Sequence, residues 1–163
     1  MANSPASPTR CLILACGNTL REDDGVGPWL AAWAQVRFAD EPRIQVITRH
    51  QWTPELAQDV VEADAVLFVD CSVHGIPGEV QLVPIQSAQG KQSLFATHHL
   101  APSELLAMSQ ELYGKQPRRS LLLTLGAFSI ELREGFSKTI EAALPLACAK
   151  LEKTVLEMLA SDF

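Results

Sequence analysis

Three stretches of this chain are apolar almost without interruption over the length of one strand: Cys11-Leu-Ile-Leu-Ala-Cys16, Ala65-Val-Leu-Phe-Val69 and Leu121-Leu-Leu-Thr-Leu-Gly126. A strand with one face in water alternates polar and apolar residues, whereas a strand covered on both faces does not. These three runs therefore belong inside a sheet that carries helices on both sides. Helix signals fall between and after them, and such alternation implies parallel strands joined by crossovers. The expected fold is α/β: a three-layer α/β/α sandwich around a mostly parallel twisted sheet of about five strands.

The remaining elements fit that frame. After a strand at Leu12–Cys16 a helix is expected near 27–38, then a strand at Ile44–Thr48. Thr53-Pro54-Glu55 reads as a helix opening, with Thr53 as N-cap and Pro54 at the first helical position. Leu56, Val60 and Val61 then share one face. Glu79-Val-Gln-Leu-Val-Pro-Ile85 alternates with period two, and Pro84 demotes it to an edge strand. Residues 86–97 are polar and read as a mobile loop. A helix is expected over Pro102 to Tyr113 with Gly114 as its C-cap. Ser137 caps a long helix through Met158, in which Pro145 marks a kink or a break. Residues 1–10 are expected to be a disordered leader and 11–163 a single domain.

With 163 residues and a formal net charge of -6, the chain shows no basic stripe, which argues against nucleic acid as a partner. Its longest apolar runs are strand-sized and too short to span a bilayer. The polar N-terminus lacks a hydrophobic signal core, so a cytoplasmic location is expected. Four cysteines (Cys11, Cys16, Cys71 and Cys148) form no CxxC pair and read as small buried hydrophobes. Cys16 and Cys71 both end apolar runs and are the one pair that could meet.

The first strand leads into Gly17-Asn-Thr-Leu-Arg-Glu-Asp-Asp-Gly-Val-Gly27, a short acidic, glycine-rich link to the first helix. Right-handed crossovers place the second strand on one side of the first and the third on the other. The loops after strands one and three then diverge at the carboxyl edge, where open α/β sheets bind their ligands. Asp23 and Asp24 come from one loop and Asp70 from the end of the other strand. Each has a plainer alternative: Asp24 capping the first helix, Asp70 capping a turn. The pair His98-His99 lies just before a helix and could bring imidazole over the same crevice, with His50 and His74 as outside candidates. Imidazole with carboxylate suits nickel, zinc or cobalt. Gly25-Val-Gly27 lacks the full dinucleotide fingerprint and follows two carboxylates that would repel a pyrophosphate. Neither a Walker lysine motif nor a GxSxG elbow is present.

These segments resemble, in order, the hydrogenase maturation proteases, endopeptidases that trim the C-terminus of nickel-iron hydrogenase large subunits. Gly17 through Gly27 is similar to the family's GN-x-L-x-x-D-[DE]-G-x-G signature. Phe68-Val-Asp-Cys-Ser-Val-His-Gly-Ile-Pro-Gly78 is similar to its strand-ending aspartate and PG turn. His98-His-Leu100 resembles its H-x-L element, and Gly126 through Pro145, with Glu134-Gly-Phe-Ser137, its C-terminal segment and helix. His50-Gln-Trp-Thr-Pro-Glu-Leu56 is similar to the HQLTPEL version of a less characterised branch. The resemblance implies a catalytic and metal-binding set of Asp24, Asp70 and His98, with His99 as the alternative register for the histidine. It also implies nickel supplied by the substrate, a hydrogenase large-subunit precursor as partner, an aspartic-type endopeptidase activity, and a monomer or weak homo-oligomer. Two other classes remain beside it: a metal-sensing assembly factor or chaperone that does not cleave, and a small-molecule α/β enzyme built on an acid pair.

Overall fold

The computed structural model describes residues 10–88, 100–161 and 163. The described residues form five strands, four α-helices and one short 3-10 helix. Strands β1 (Cys11–Cys16), β2 (Ile44–Arg49), β3 (Ala65–Ser72), β4 (Val80–Pro84) and β5 (Arg119–Gly126) form one sheet in the order β2-β1-β3-β5-β4. β1 pairs in parallel with both β2 and β3, and β3 in parallel with β5. Only β4 runs antiparallel, against β5 at the sheet edge. That edge position suits Pro84, which cannot donate to a ladder.

The helices are α1 (Val26–Arg37), α2 (Leu56–Glu62), α3 (Pro102–Tyr113) and α4 (Lys138–Ala160). Because side chains alternate across a strand, β1 and β3 feed two separate cores. Ile13, Ala15, Leu67 and Val69 pack with Leu30 and Ala34 of α1 and Leu151 and Val155 of α4. Leu12, Leu14, Val66 and Phe68 pack on the other face with Leu56 and Val60 of α2 and Leu105 and Leu106 of α3. The three-layer sandwich and its mostly parallel sheet are thus as the apolar runs required. No helix among the described residues is long and apolar enough to cross a membrane.

Four details differ from the sequence reading. First, α2 begins at Leu56, and Thr53 to Glu55 make only the turn before it, with the amide of Leu56 bonded to the carbonyl of Thr53 at 3.1 Å. Thr53 is therefore not an N-cap. Its hydroxyl bonds instead to the carboxylate of Glu55. Second, Pro145 lies inside α4 without breaking it. It sits on an exposed turn, so the carbonyl it leaves unpaired can be hydrated. Third, β3 does not end at Asp70 but runs on to Ser72. Fourth, Cys16 packs in one core and Cys71 in the other. The sheet separates these two thiols, and all four cysteines are free. The expected leader, apart from Arg10, lies outside the described residues, as do residues 89–97 of the expected loop.

Candidate active site

The site is built on the carboxyl ends of the two adjacent central strands. At the end of β1 the chain turns through Gly17 to Arg21, makes a 3-10 turn over Glu22–Gly25, and enters α1. Two glycines make the turn tight enough. A Cβ on Gly17 would lie 2.1 Å from the carbonyl oxygen of Asp24, and one on Gly27 would lie 2.1 Å from the carbonyl oxygen of Cys16. The acidic turn and the start of α1 therefore press directly onto the end of β1.

Asp24 is half-buried at the start of this turn-to-helix join. Its Oδ2 accepts a hydrogen bond from the amide of Asn18 at 3.0 Å. The residue preceding α1 is Gly25, and no side chain caps that helix. The capping alternative for Asp24 is therefore not what the structure adopts. Asp70 stands on β3, on the same face as Phe68 and Cys16, and its Oδ1 accepts from the amide of Cys71 at 2.7 Å. That bond lies within the strand and caps no turn.

Burial pushes the Asp70 carboxyl up to about 7, the bond from Cys71 pulls it down, and the negative charge of Asp24 raises it again. The Asp24–Asp70 interaction is thus felt directly in the protonation of Asp70. Beneath the two acids lies the thiol of Cys16, which donates to the carbonyl oxygen of His50 at 3.2 Å. Burial, then Asp70, then Asp24 push that thiol up to about 12. Burial and the acids Asp24, Asp70 and Asp23 push Cys71 to about 12 as well. Both sulfurs stay protonated at neutral pH, which removes thiolate chemistry from this edge.

Asp23 is fully buried and belongs to a different network. Its Oδ2 accepts from the amides of Phe128 and Ser129, at 2.9 and 3.0 Å, and from the Ser137 hydroxyl at 2.8 Å. Its Oδ1 accepts from the Ser137 amide at 2.8 Å. Beside it, Glu22 is buried and ion-paired with Arg133. Glu22 has φ of 46°, the left-handed region that a non-glycine residue rarely holds. Its amide bonds the Arg133 carbonyl at 2.7 Å, which helps to hold it there. Reading the sequence places Asp23 in the loop but finds neither Phe128, Ser129 and Ser137 as its partners nor Arg133 as the partner of Glu22. Ser137 carries one local signal, as the N-cap of α4: its hydroxyl also accepts from the amide of Ile140 at 3.2 Å.

Around these acids the surface is apolar and open. Leu20, Val73, Ile76, Phe128, Ile130 and Leu132 are all exposed, and all lie on the loops after β1, β3 and β5. A cleft of about 610 Å³ flanks the acidic turn, lined by Glu22, Phe128, Phe136 and Thr139 among others. His50 and His74 lie on exposed loop positions at the same edge, after β2 and β3. His98 and His99 lie outside the described residues. Among the described residues no group of three or more His, Cys, Asp and Glu side chains is placed to hold a metal ion.

No family model matches the chain, and no curated protein matches it. Solved structures do. The hydrogenase maturating endopeptidase HybD from E. coli superposes with a TM-score of 0.73 at 19% identity, covering 91% of this chain and 93% of that one. A [NiFe] hydrogenase maturation protease, HycI from Thermococcus kodakarensis KOD1, superposes with a TM-score of 0.63 at 23% identity, covering 96% of both chains. The hydrogenase 2 maturation peptidase from Thaumarchaeota archaeon SCGC_AB-539-E09 gives 0.64 at 19% identity, over 90% of this chain and 98% of that one. This chain has the fold of those maturation endopeptidases over nearly its whole length, in line with the resemblance of its motifs.

Proposed function

We propose that this chain is an endopeptidase of the hydrogenase maturation type, which removes the C-terminal extension of a nickel-iron hydrogenase large-subunit precursor after nickel has been inserted. The observation that carries the reading is the placement of Asp24 and Asp70 after and on the adjacent strands β1 and β3, at the carboxyl edge of a sheet shared with those endopeptidases, where the charge of Asp24 also raises the Asp70 carboxyl. Motif and fold come from independent sources, the first from local sequence and the second from the path of the backbone. A rim of exposed apolar side chains around the acids suits a protein substrate better than a small molecule.

In this reading Asp24, Asp70 and His98 are the residues that meet the metal-bearing end of the precursor, and they are also the catalytic set. Two carboxylates with an imidazole suit nickel, whose bound form would polarise the scissile carbonyl as a Lewis acid. The precursor brings the ion and the protein supplies an incomplete set of ligands, so the isolated protein binds nickel weakly. Before the precursor docks, the Asp70 carboxyl sits near 7 and is partly protonated at neutral pH, and to hold the ion it would give up that proton. Asp24 meets the substrate from the acidic turn after β1. The protein works in the cytoplasm, where its precursor partner is made.

The test is cleavage of a nickel-loaded large-subunit precursor by the purified chain, read by intact mass. Loss of a C-terminal peptide, dependent on nickel in the precursor, is the expected result. Tight binding of the precursor with no cleavage would favour a non-proteolytic assembly factor on the same fold.

A further inference from the structure

We infer that Asp23 and Ser137 form a clamp that positions Asp24, making the β5–α4 loop a working part of the acid site. Asp23 cannot touch substrate, because it is fully buried and every hydrogen bond of its carboxylate goes to residues 128–137. Four donors converge on one carboxylate, so its charge is compensated inside the protein and its orientation is fixed. Its backbone amide adds a fifth tie, to the carbonyl of Ser129 at 3.2 Å. Asp24 follows in the chain and holds itself with far less, through the Asn18 amide on its side chain and the Arg21 carbonyl on its own amide.

The segment before the clamp is fastened to the same loop. The amide of Arg133 donates to the carbonyl of Leu20 at 3.0 Å, Glu22 returns its amide to Arg133, and Arg21 and Arg133 form a parallel bridge. Residues 20–23 are thus held largely by residues 128–137, across more than a hundred positions of sequence. The outward side of that partner segment carries Phe128, Ile130 and Leu132, which are 66%, 39% and 77% exposed and alternate with Ser129 and Arg133. Whatever contacts these side chains during substrate binding is mechanically joined to Asp24 through Asp23. The kinetic consequences rest on the peptidase reading; the positional one does not.

The experiment compares the full chain with Ser137→Ala, Ser137→Thr and Asp23→Asn. Three quantities are measured: kcat and KM for precursor cleavage, the melting temperature, and the position of the Asn18 amide in a proton–nitrogen correlation spectrum. That amide donates to Asp24, so it reports where Asp24 stands. Loss of a charge-assisted bond in the clamp is expected to lower kcat roughly tenfold or more while KM changes by less than about twofold. The Asn18 amide should move in Ser137→Ala and return in Ser137→Thr, which keeps the hydroxyl. Asp23→Asn should move it further; if that variant does not fold, the two Ser137 variants decide the matter. An unmoved Asn18 amide in Ser137→Ala overturns the clamp, as does a loss of activity that only follows the melting temperature or that threonine does not rescue. If the wild-type chain cleaves nothing yet the amide moves, the clamp stands and the peptidase reading fails.

Discussion

Asp24 and Asp70 are chemically the same residue, and their surroundings make them different tools. Asp70 lies in the sheet with one bond from Cys71, and burial brings its carboxyl to about 7 from an ordinary 3.8. A carboxyl whose folded pKa lies above its unfolded one stabilises the protein fully below the unfolded value, and that contribution is lost as pH rises through the folded value. Wild-type stability should therefore fall relative to Asp70→Asn between about pH 4 and pH 8. At about 1.4 kcal/mol per pKa unit the difference is bounded at about 4 kcal/mol, and partial solvent access reduces it. Melting curves of the two proteins at pH 4 and pH 8 check this: the gap should widen toward pH 8, and a gap equal at both ends contradicts it. Asp24→Asn keeps the size of the side chain and removes the anion, so it should abolish processing with a melting temperature close to wild type. His98→Ala should match it and His99→Ala should be milder, measured in the same processing assay. Asp24 and Asp70 were legible as candidates because each ends or follows a strand-sized apolar run. The partners of Asp23 were not, because Phe128, Ser129 and Ser137 are more than a hundred residues away and no local pattern announces them.

At the scale of elements, the join of β1 to α1 is the most demanding piece of packing. Gly27→Ala would drive a methyl group into the carbonyl of Cys16 and force α1 off the end of β1. The expected cost is about 3 kcal/mol, read from the urea midpoint, with processing lost as Asp24 shifts. By contrast Gly114 caps α3 at φ of 68° with open space around it, so Gly114→Ala should cost only about 1 kcal/mol and leave processing intact. A Gly27→Ala protein as stable as wild type would show that the join can relax. Helix α3 was legible to the residue, because a proline opens it and a glycine closes it. The start of α2 was not: Thr53 has a competing partner in Glu55, and the turn it makes runs into the helix only at Leu56. Of the kink or break expected at Pro145, the break does not occur, for a related reason. Its cost depends on whether the freed carbonyl meets water, and only the fold says that it does. The separation of Cys16 from Cys71 follows from strand parity, which needs the true end of β3 before it can be applied.

At the scale of the molecule, uninterrupted apolar strands require cover on both faces, and that requirement produces the sandwich. The sandwich in turn leaves one edge where strands β1 and β3 end side by side, with no strand between them. Acids, open apolar loops and the clamped turn all collect there because this is where the connections after the two strands part. About five strands, and the places of the first three, could be inferred from alternation and crossover handedness, while the order β3-β5-β4 and the β5–α4 loop could not, since the loop's place over the first turn is a property of the closed fold. The most direct measurement takes nickel-loaded and nickel-free precursor, adds wild type or Asp24→Asn, and follows the intact mass of the precursor. The account predicts loss of a C-terminal peptide only from the loaded precursor and only with wild type. Cleavage by Asp24→Asn at the wild-type rate, with an unchanged melting temperature, would contradict it.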